Sequence, residues 1–65
     1  MSLKNRVIMY PKDVEIITGK SDRYGRHLLA RIRDHLGKSR DQMISIREFC
    51  EYTGLPIQDV ETRIL

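Results

Sequence analysis

The chain has little of several residue types on which other protein classes depend. Its 65 residues include no Trp, one Phe and one Cys. A single cysteine excludes a disulfide within the chain and favours a reducing, cytoplasmic setting. No apolar run approaches the roughly 20 residues of a membrane-spanning helix, and we expect neither a signal peptide nor contact with a membrane. The core must therefore come from Leu, Ile, Val and Tyr.

The length allows one small domain. We interpret residues 1–3 as an expression scar and residues 4–65 as a single domain. A chain this short buries a modest part of its surface, so a partner chain or DNA would add stability that it needs.

Charge is distributed unevenly along the chain. Residues 20–40 carry seven basic and two acidic side chains, a net charge of +5, whereas residues 41–65 carry two basic and five acidic ones, a net charge of −3. A concentrated basic segment attracts phosphate backbones. A solvated helix surface is the alternative interpretation of the same pattern.

Helix start and stop signals predict an all-α domain of four short helices. Glycines 19, 37 and 54 suit the left-handed residue that ends a helix. Pro11, Ser21, the capping box from Ser45 to Glu48 and Pro56 suit helix starts. The predicted helices run from Pro11 to about Thr18, Ser21 to about Leu36, Ser45 to about Thr53, and onward from Pro56. A minimal two-stranded β-ribbon between residues 7–9 and 43–46 is left open.

Apolar spacing predicts which side of each helix is buried. In the second helix the predicted inward side is Tyr24, Leu28, Leu29, Ile32 and Leu36, and the outward side is Arg23, Arg26, His27, Ala30 and Arg33. In the first helix Val14 and Ile17 are predicted to face inward, and Lys12, Asp13 and Glu15 outward. The third helix is predicted to bury Ile46, Phe49 and Cys50, and the fourth has Ile57, Val60 and Ile64 on one face.

Two pairs of helices fit a helix-turn-helix, the motif whose second helix usually reads DNA. The second pair matches the apolar pattern of the motif better, with Phe49, Cys50, Gly54, Leu55 and Val60. The first pair has the basic second helix. Because phosphate contact supplies much of DNA affinity, we predict that helix 21–36 is the recognition helix and that the second pair supports it.

Each predicted contact follows from side-chain chemistry. Arg pairs bidentately with guanine, so Arg23, Arg26 and His27 near the start of the helix are predicted to face bases. Lys20, Ser21 and Arg33 are predicted to face phosphates, and the small Ala30 to permit close approach of the DNA backbone.

Several stretches resemble small helix-turn-helix proteins of Bacteroides-type bacteria, most of them uncharacterised regulators. The resemblance rests on Tyr10-Pro11-Lys12-Asp13-Val14, Ile17-Thr18-Gly19-Lys20-Ser21, Leu28-Leu29-Ala30-Arg31-Ile32-Arg33 and Glu48-Phe49-Cys50-Glu51-Tyr52-Thr53-Gly54-Leu55. It implies a helix-turn-helix fold and a role as a transcriptional regulator that binds double-stranded DNA.

Other functions have weaker support in the sequence. His27 and His35 are too far apart for a metal-binding pair on one helix, and Cys50 has no evident catalytic partner. We therefore expect no enzyme, cofactor, metal site or small-molecule substrate. The alternative function is a protein-interaction or oligomerisation module without DNA binding. A homodimer through residues 46–65, with Ile57, Val60 and Ile64 at the interface, is compatible with either function.

Overall fold

The computed structural model describes residues 7–64 and contains four α-helices. The helices are α1 (Pro11–Thr18), α2 (Asp22–Leu36), α3 (Ile46–Thr53) and α4 (Ile57–Ile64). The predicted all-α class and all four predicted helices are confirmed. The predicted expression scar, residues 1–3, lies outside the described residues.

Between the described segments 7–9 and 44–46 there is one antiparallel bridge, joining Ile8 to Ser45, and no longer strand. The amide of Met9 donates to the carbonyl of Ile44 at 2.9 Å, and the amide of Ile46 donates to the carbonyl of Val7 at 2.7 Å. The β-ribbon left open by the sequence is therefore reduced to a single bridge, which joins the residues before α1 to those before α3.

All four helices contribute to one core. α1 packs against α2 and α4, and α3 packs against α2 and α4. Phe49 and Val14 are completely buried at its centre. The other buried apolar side chains are Met9, Leu29, Ile32, Ile44, Ile46, Cys50 and Val60. The predicted burial of Ile46, Phe49 and Cys50 is confirmed.

The corner that joins α1 to α2 recurs between α3 and α4. Thr18 Oγ1 donates to the carbonyl of Val14 at 2.7 Å and accepts from the amide of Lys20 at 3.2 Å. Thr53 Oγ1 donates to the carbonyl of Phe49 at 2.9 Å and accepts from the amide of Leu55 at 3.4 Å. The glycine after each threonine is left-handed, with φ of 73° and 81°. The two corners thus end their helices by the same hydrogen bonds.

α1 and α2 cross closely at Gly25. A Cβ on this glycine would lie 2.8 Å from the carbonyl oxygen of Pro11 and 3.2 Å from the Cβ of Val14. A side chain at this position would push α1 away, so glycine permits the close crossing. The contact fixes the position of α2 against the rest of the domain.

Two predictions about buried sides were wrong. Asp13 is only 5% exposed, although it was predicted to face outward. Its carboxylate accepts a hydrogen bond from the amide of Tyr10 at 2.8 Å. Because amides at the start of a helix have no partner within the helix, this hydrogen bond explains why the carboxylate is buried.

The second error concerns the rotation of α2. Its buried residues are Gly25, Leu29 and Ile32, whereas Tyr24 and Leu36 are exposed and Leu28 is half-buried. The predicted burial of Leu29 and Ile32 is confirmed, and the buried side is turned by roughly 30° towards Gly25 from the predicted orientation. The close contact at Gly25 draws this side inward, and apolar spacing alone gives a glycine no weight.

Candidate nucleic-acid interface

The side of α2 opposite the core carries a row of basic side chains. Arg23, His27 and Arg31 are spaced four residues apart and are all exposed. Residues four apart are neighbours on a helix surface, so the three form one line along α2. Arg23 and Arg31 form no ion pair or hydrogen bond with any other described side chain. We call Arg23, His27 and Arg31 the basic row.

The basic row includes one residue that the sequence analysis missed. Arg31 fell beside the predicted inward side because that side was centred on Leu28. With the buried side centred on Gly25, between Ile32 and Leu29, Arg31 faces solvent. The spacing of Arg23, His27 and Arg31 was the available signal.

The start of α2 is fixed by its cap. Ser21 Oγ accepts a hydrogen bond from the amide of Tyr24 at 3.2 Å, so the predicted cap is present and the hydroxyl proton remains able to donate. Lys20 Nζ lies 5.3 Å from the centre of the Tyr24 ring, within cation–π range. Lys20 and Ser21 are both exposed, and they lie beside the N-terminal end of the basic row.

Arg26 is engaged within its own helix. Its Nε donates to Asp22 Oδ2 at 2.6 Å, and the two side chains are 71% and 50% exposed. The hydrogen bond and the charge of Asp22 raise the pKa of Arg26 above its ordinary value. An exposed pair of this kind adds little stability. Arg26 is thus accessible, but Asp22 neutralises its charge.

Arg33 holds the loop that follows α2. It is half-buried, and its Nε donates to the carbonyl of Gln42 at 2.8 Å. Ala30, one turn earlier, is exposed as predicted. Arg33 therefore lies about 120° around α2 from His27, outside the basic row, and is less exposed than the outward side predicted for it.

Lys38 ties the same loop to α3. Its Nζ donates to the carbonyl of Met43 at 2.8 Å and to Glu48 Oε1 at 2.7 Å. Glu48 also accepts from the amide of Ser45 at 2.9 Å, which completes the predicted capping box. The bond from Lys38, followed by that from Ser45, lowers the pKa of Glu48. Lys38 thus adds no uncompensated charge to the surface.

The residues predicted for a dimer interface are differently placed. Val60 is 2% exposed and belongs to the core of its own chain, so it has almost no surface to offer a partner. Ile64 is half-buried against the same core, whereas Ile57 is exposed. The three-residue face predicted for dimerisation is therefore reduced to Ile57 and the exposed part of Ile64, because packing within the domain uses the rest.

Cys50 is buried, and this burial is the main reason why the pKa of its thiol is raised above the ordinary value. Among residues 7–64, no three His, Cys, Asp or Glu side chains form a cluster suited to a metal ion. None of the described helices has the length and apolar content to cross a membrane.

Comparison with known protein families, curated proteins and solved structures gives no significant match in any of the three. The resemblance to helix-turn-helix proteins of Bacteroides-type bacteria therefore stays a prediction.

Proposed function

We propose that the chain binds double-stranded DNA through α2 and acts as a small transcriptional regulator. The observation that carries the proposal is the basic row, which is exposed and has no acidic partner among the described residues. The capped, glycine-ended corner before α2 supports it, because helix-turn-helix proteins present their reading helix after such a turn.

The dimensions of the basic row suit a major groove. Eight residues separate Arg23 from Arg31, which corresponds to about 12 Å along a helix. The major groove, about 12 Å wide, accepts the diameter of one α-helix, so the row would run along the groove. Side chains at both ends of the row would thus reach base edges or the phosphates that border the groove.

The roles of individual residues follow from their positions. Arg23, in the first turns of α2, would face bases with His27, and Arg31 would extend that contact along the groove. Lys20 and Ser21 would contact a phosphate at the start of the helix. Arg26 would contribute only after leaving Asp22, so we assign it a smaller share than the sequence predicted.

Fluorescence anisotropy with a mixed-sequence duplex tests the proposal. We expect binding that weakens with salt. Arg23→Gln and Arg31→Gln should lower the affinity, and Lys20→Gln, at a proposed phosphate contact, should lower the slope of log affinity against log salt by about 1. Arg63→Gln is the matched control, since Arg63 is exposed on α4 and the change in net charge is the same. Binding no tighter than that of an acidic protein, without salt dependence, would refute the proposal.

A second candidate function is a protein-interaction module, favoured by Leu55 and Ile57. Both side chains are more than a third exposed, and they line a groove of about 430 Å³ with Cys50 and Glu51. A DNA-binding module of this size buries roughly 600–1,000 Å², so a dimer that joins two half-sites would also serve the first function. Sedimentation of wild type and Ile57→Asp, together with the anisotropy measurement on both, separates the two candidates. A stable dimer with no affinity for DNA favours the module alone.

A further inference from the structure

We propose that a groove beside the C-terminal half of α2 is a second site for DNA phosphate, with Arg33 and Arg40 as its ligands. The inference rests on the proposed DNA binding and extends it to the loop after α2. The groove has a volume of about 330 Å³, and we call it the loop groove. Its lining residues are Ala30, Arg33, Asp34, Lys38 and Arg40.

The loop is held in place before any ligand binds. The amide of Gln42 donates to the carbonyl of Ser39 at 3.1 Å, which closes a turn with Arg40 and Asp41 at its tip. The amide of Ser39 donates to Gln42 Oε1 at 2.7 Å. Arg33 ties Gln42 back to α2, and Lys38 ties Met43 and Glu48 to the same loop. A preorganised loop loses little conformational entropy on binding.

Two positive charges in the loop groove have no acidic partner. Lys38 is compensated by Glu48. Arg33 uses only its Nε, and its terminal nitrogens form no bond within residues 7–64. Arg40 is exposed and has no partner among the described side chains. An arginine guanidinium can donate two parallel hydrogen bonds to the oxygens of one phosphate, so arginine is well suited to bind it.

The loop groove is beside the surface that would carry the duplex. Ala30 follows Arg23 by seven residues, about two helical turns, so it lies within about 20° of Arg23 around the helix axis. Its small side chain leaves open the space between the basic row and Arg33. A duplex docked on the row would therefore bring a phosphate strand over the groove.

Loss of charge at the loop tip is the first test. Arg40→Gln is compared with Arg47→Gln, an exposed position on α3 with the same change in net charge. We expect Arg40→Gln to lower the salt slope of binding to a mixed-sequence duplex by about 1. Arg47→Gln should leave the slope unchanged.

Gain of affinity is the second test, and it does not depend on damaging the protein. Asp34 is the one acidic side chain that lines the loop groove in the described structure. Asp34→Asn should tighten binding by up to about threefold, as for one unit charge roughly 7 Å from a phosphate in water. Glu51→Gln on α3 is the control, because it changes net charge equally away from the groove.

The outcomes separate the two proposals. Wild-type binding with both effects present supports the loop groove. Wild-type binding that falls in Arg31→Gln but is the same in Arg40→Gln and Arg47→Gln overturns the loop groove and leaves the proposed function standing. Equal gains in Asp34→Asn and Glu51→Gln also overturn it, since net charge would then account for both. No binding by wild type refutes the proposed function, and the loop groove with it.

Discussion

Substitution of Gly25 by Ala tests whether the α1–α2 crossing determines the stability of the domain. Alanine favours a helix interior over glycine by about 1 kcal/mol, so local propensity predicts a more stable protein. The added Cβ would lie 2.8 Å from the carbonyl oxygen of Pro11, a backbone atom that cannot rotate away. Overpacking of this kind costs about 1–3 kcal/mol.

We expect the clash to exceed the propensity gain and Gly25→Ala to lose about 1 kcal/mol net, since α1 must shift as a unit. In a domain of this size that lowers the melting temperature by about 4–8 °C, which thermal unfolding followed by circular dichroism resolves. Ala30→Gly, at an exposed position of the same helix, is the control and should lose about 1 kcal/mol through propensity alone. A higher melting temperature for Gly25→Ala would show that the helices separate readily and that the crossing is not a constraint.

Three further predictions concern the core, the pH dependence and the dimer. Phe49→Ala should lower the free energy of unfolding by about 3–5 kcal/mol, because the side chain is fully buried. Thermal unfolding followed by circular dichroism should then show little cooperative transition. Because the pKa of Glu48 is lowered in the folded protein, its bonds to Lys38 and Ser45 stabilise the fold fully above the pKa of a glutamate in the unfolded chain, about 4.3. This stabilisation is lost as the pH falls through the lower pKa that Glu48 has in the folded protein. Urea unfolding at a series of pH values should thus show that the free energy of unfolding falls less steeply towards acid pH in Glu48→Gln than in wild type. Val60→Asp should unfold the chain, whereas Ile57→Asp should keep its melting temperature and dissociate any dimer in sedimentation. A folded Val60→Asp would contradict the core described above.

The ends of the helices were predictable because their causes are local. Ser21, Ser45 and glycines 19, 37 and 54 act on residues within one turn, and each has the predicted role in the structure. The corner threonines at 18 and 53 are also visible in the sequence.

The surface of α2 was harder to predict because its rotation depends on another helix. Leucines at 28 and 29 satisfy an apolar pattern in either orientation, and the contact of Gly25 with α1 decides between them. Arg31 was missed for that reason. The role of Arg33 depends on Gln42, nine residues away, and no local pattern predicts such a partner. Whether DNA is bound stays a prediction.

The bridge between Ile8 and Ser45 has a consequence for how the chain folds. Its two residues are far apart in a chain of 65 residues, so closing the loop between them costs roughly 3 kcal/mol of chain entropy. The helices are short and form quickly, but this pairing and the packing of α1 on α4 are non-local contacts. We expect a concerted transition state in which the two helix pairs dock together. Neither pair would then persist alone long enough to expose its apolar side to proteases or to other unfolded chains.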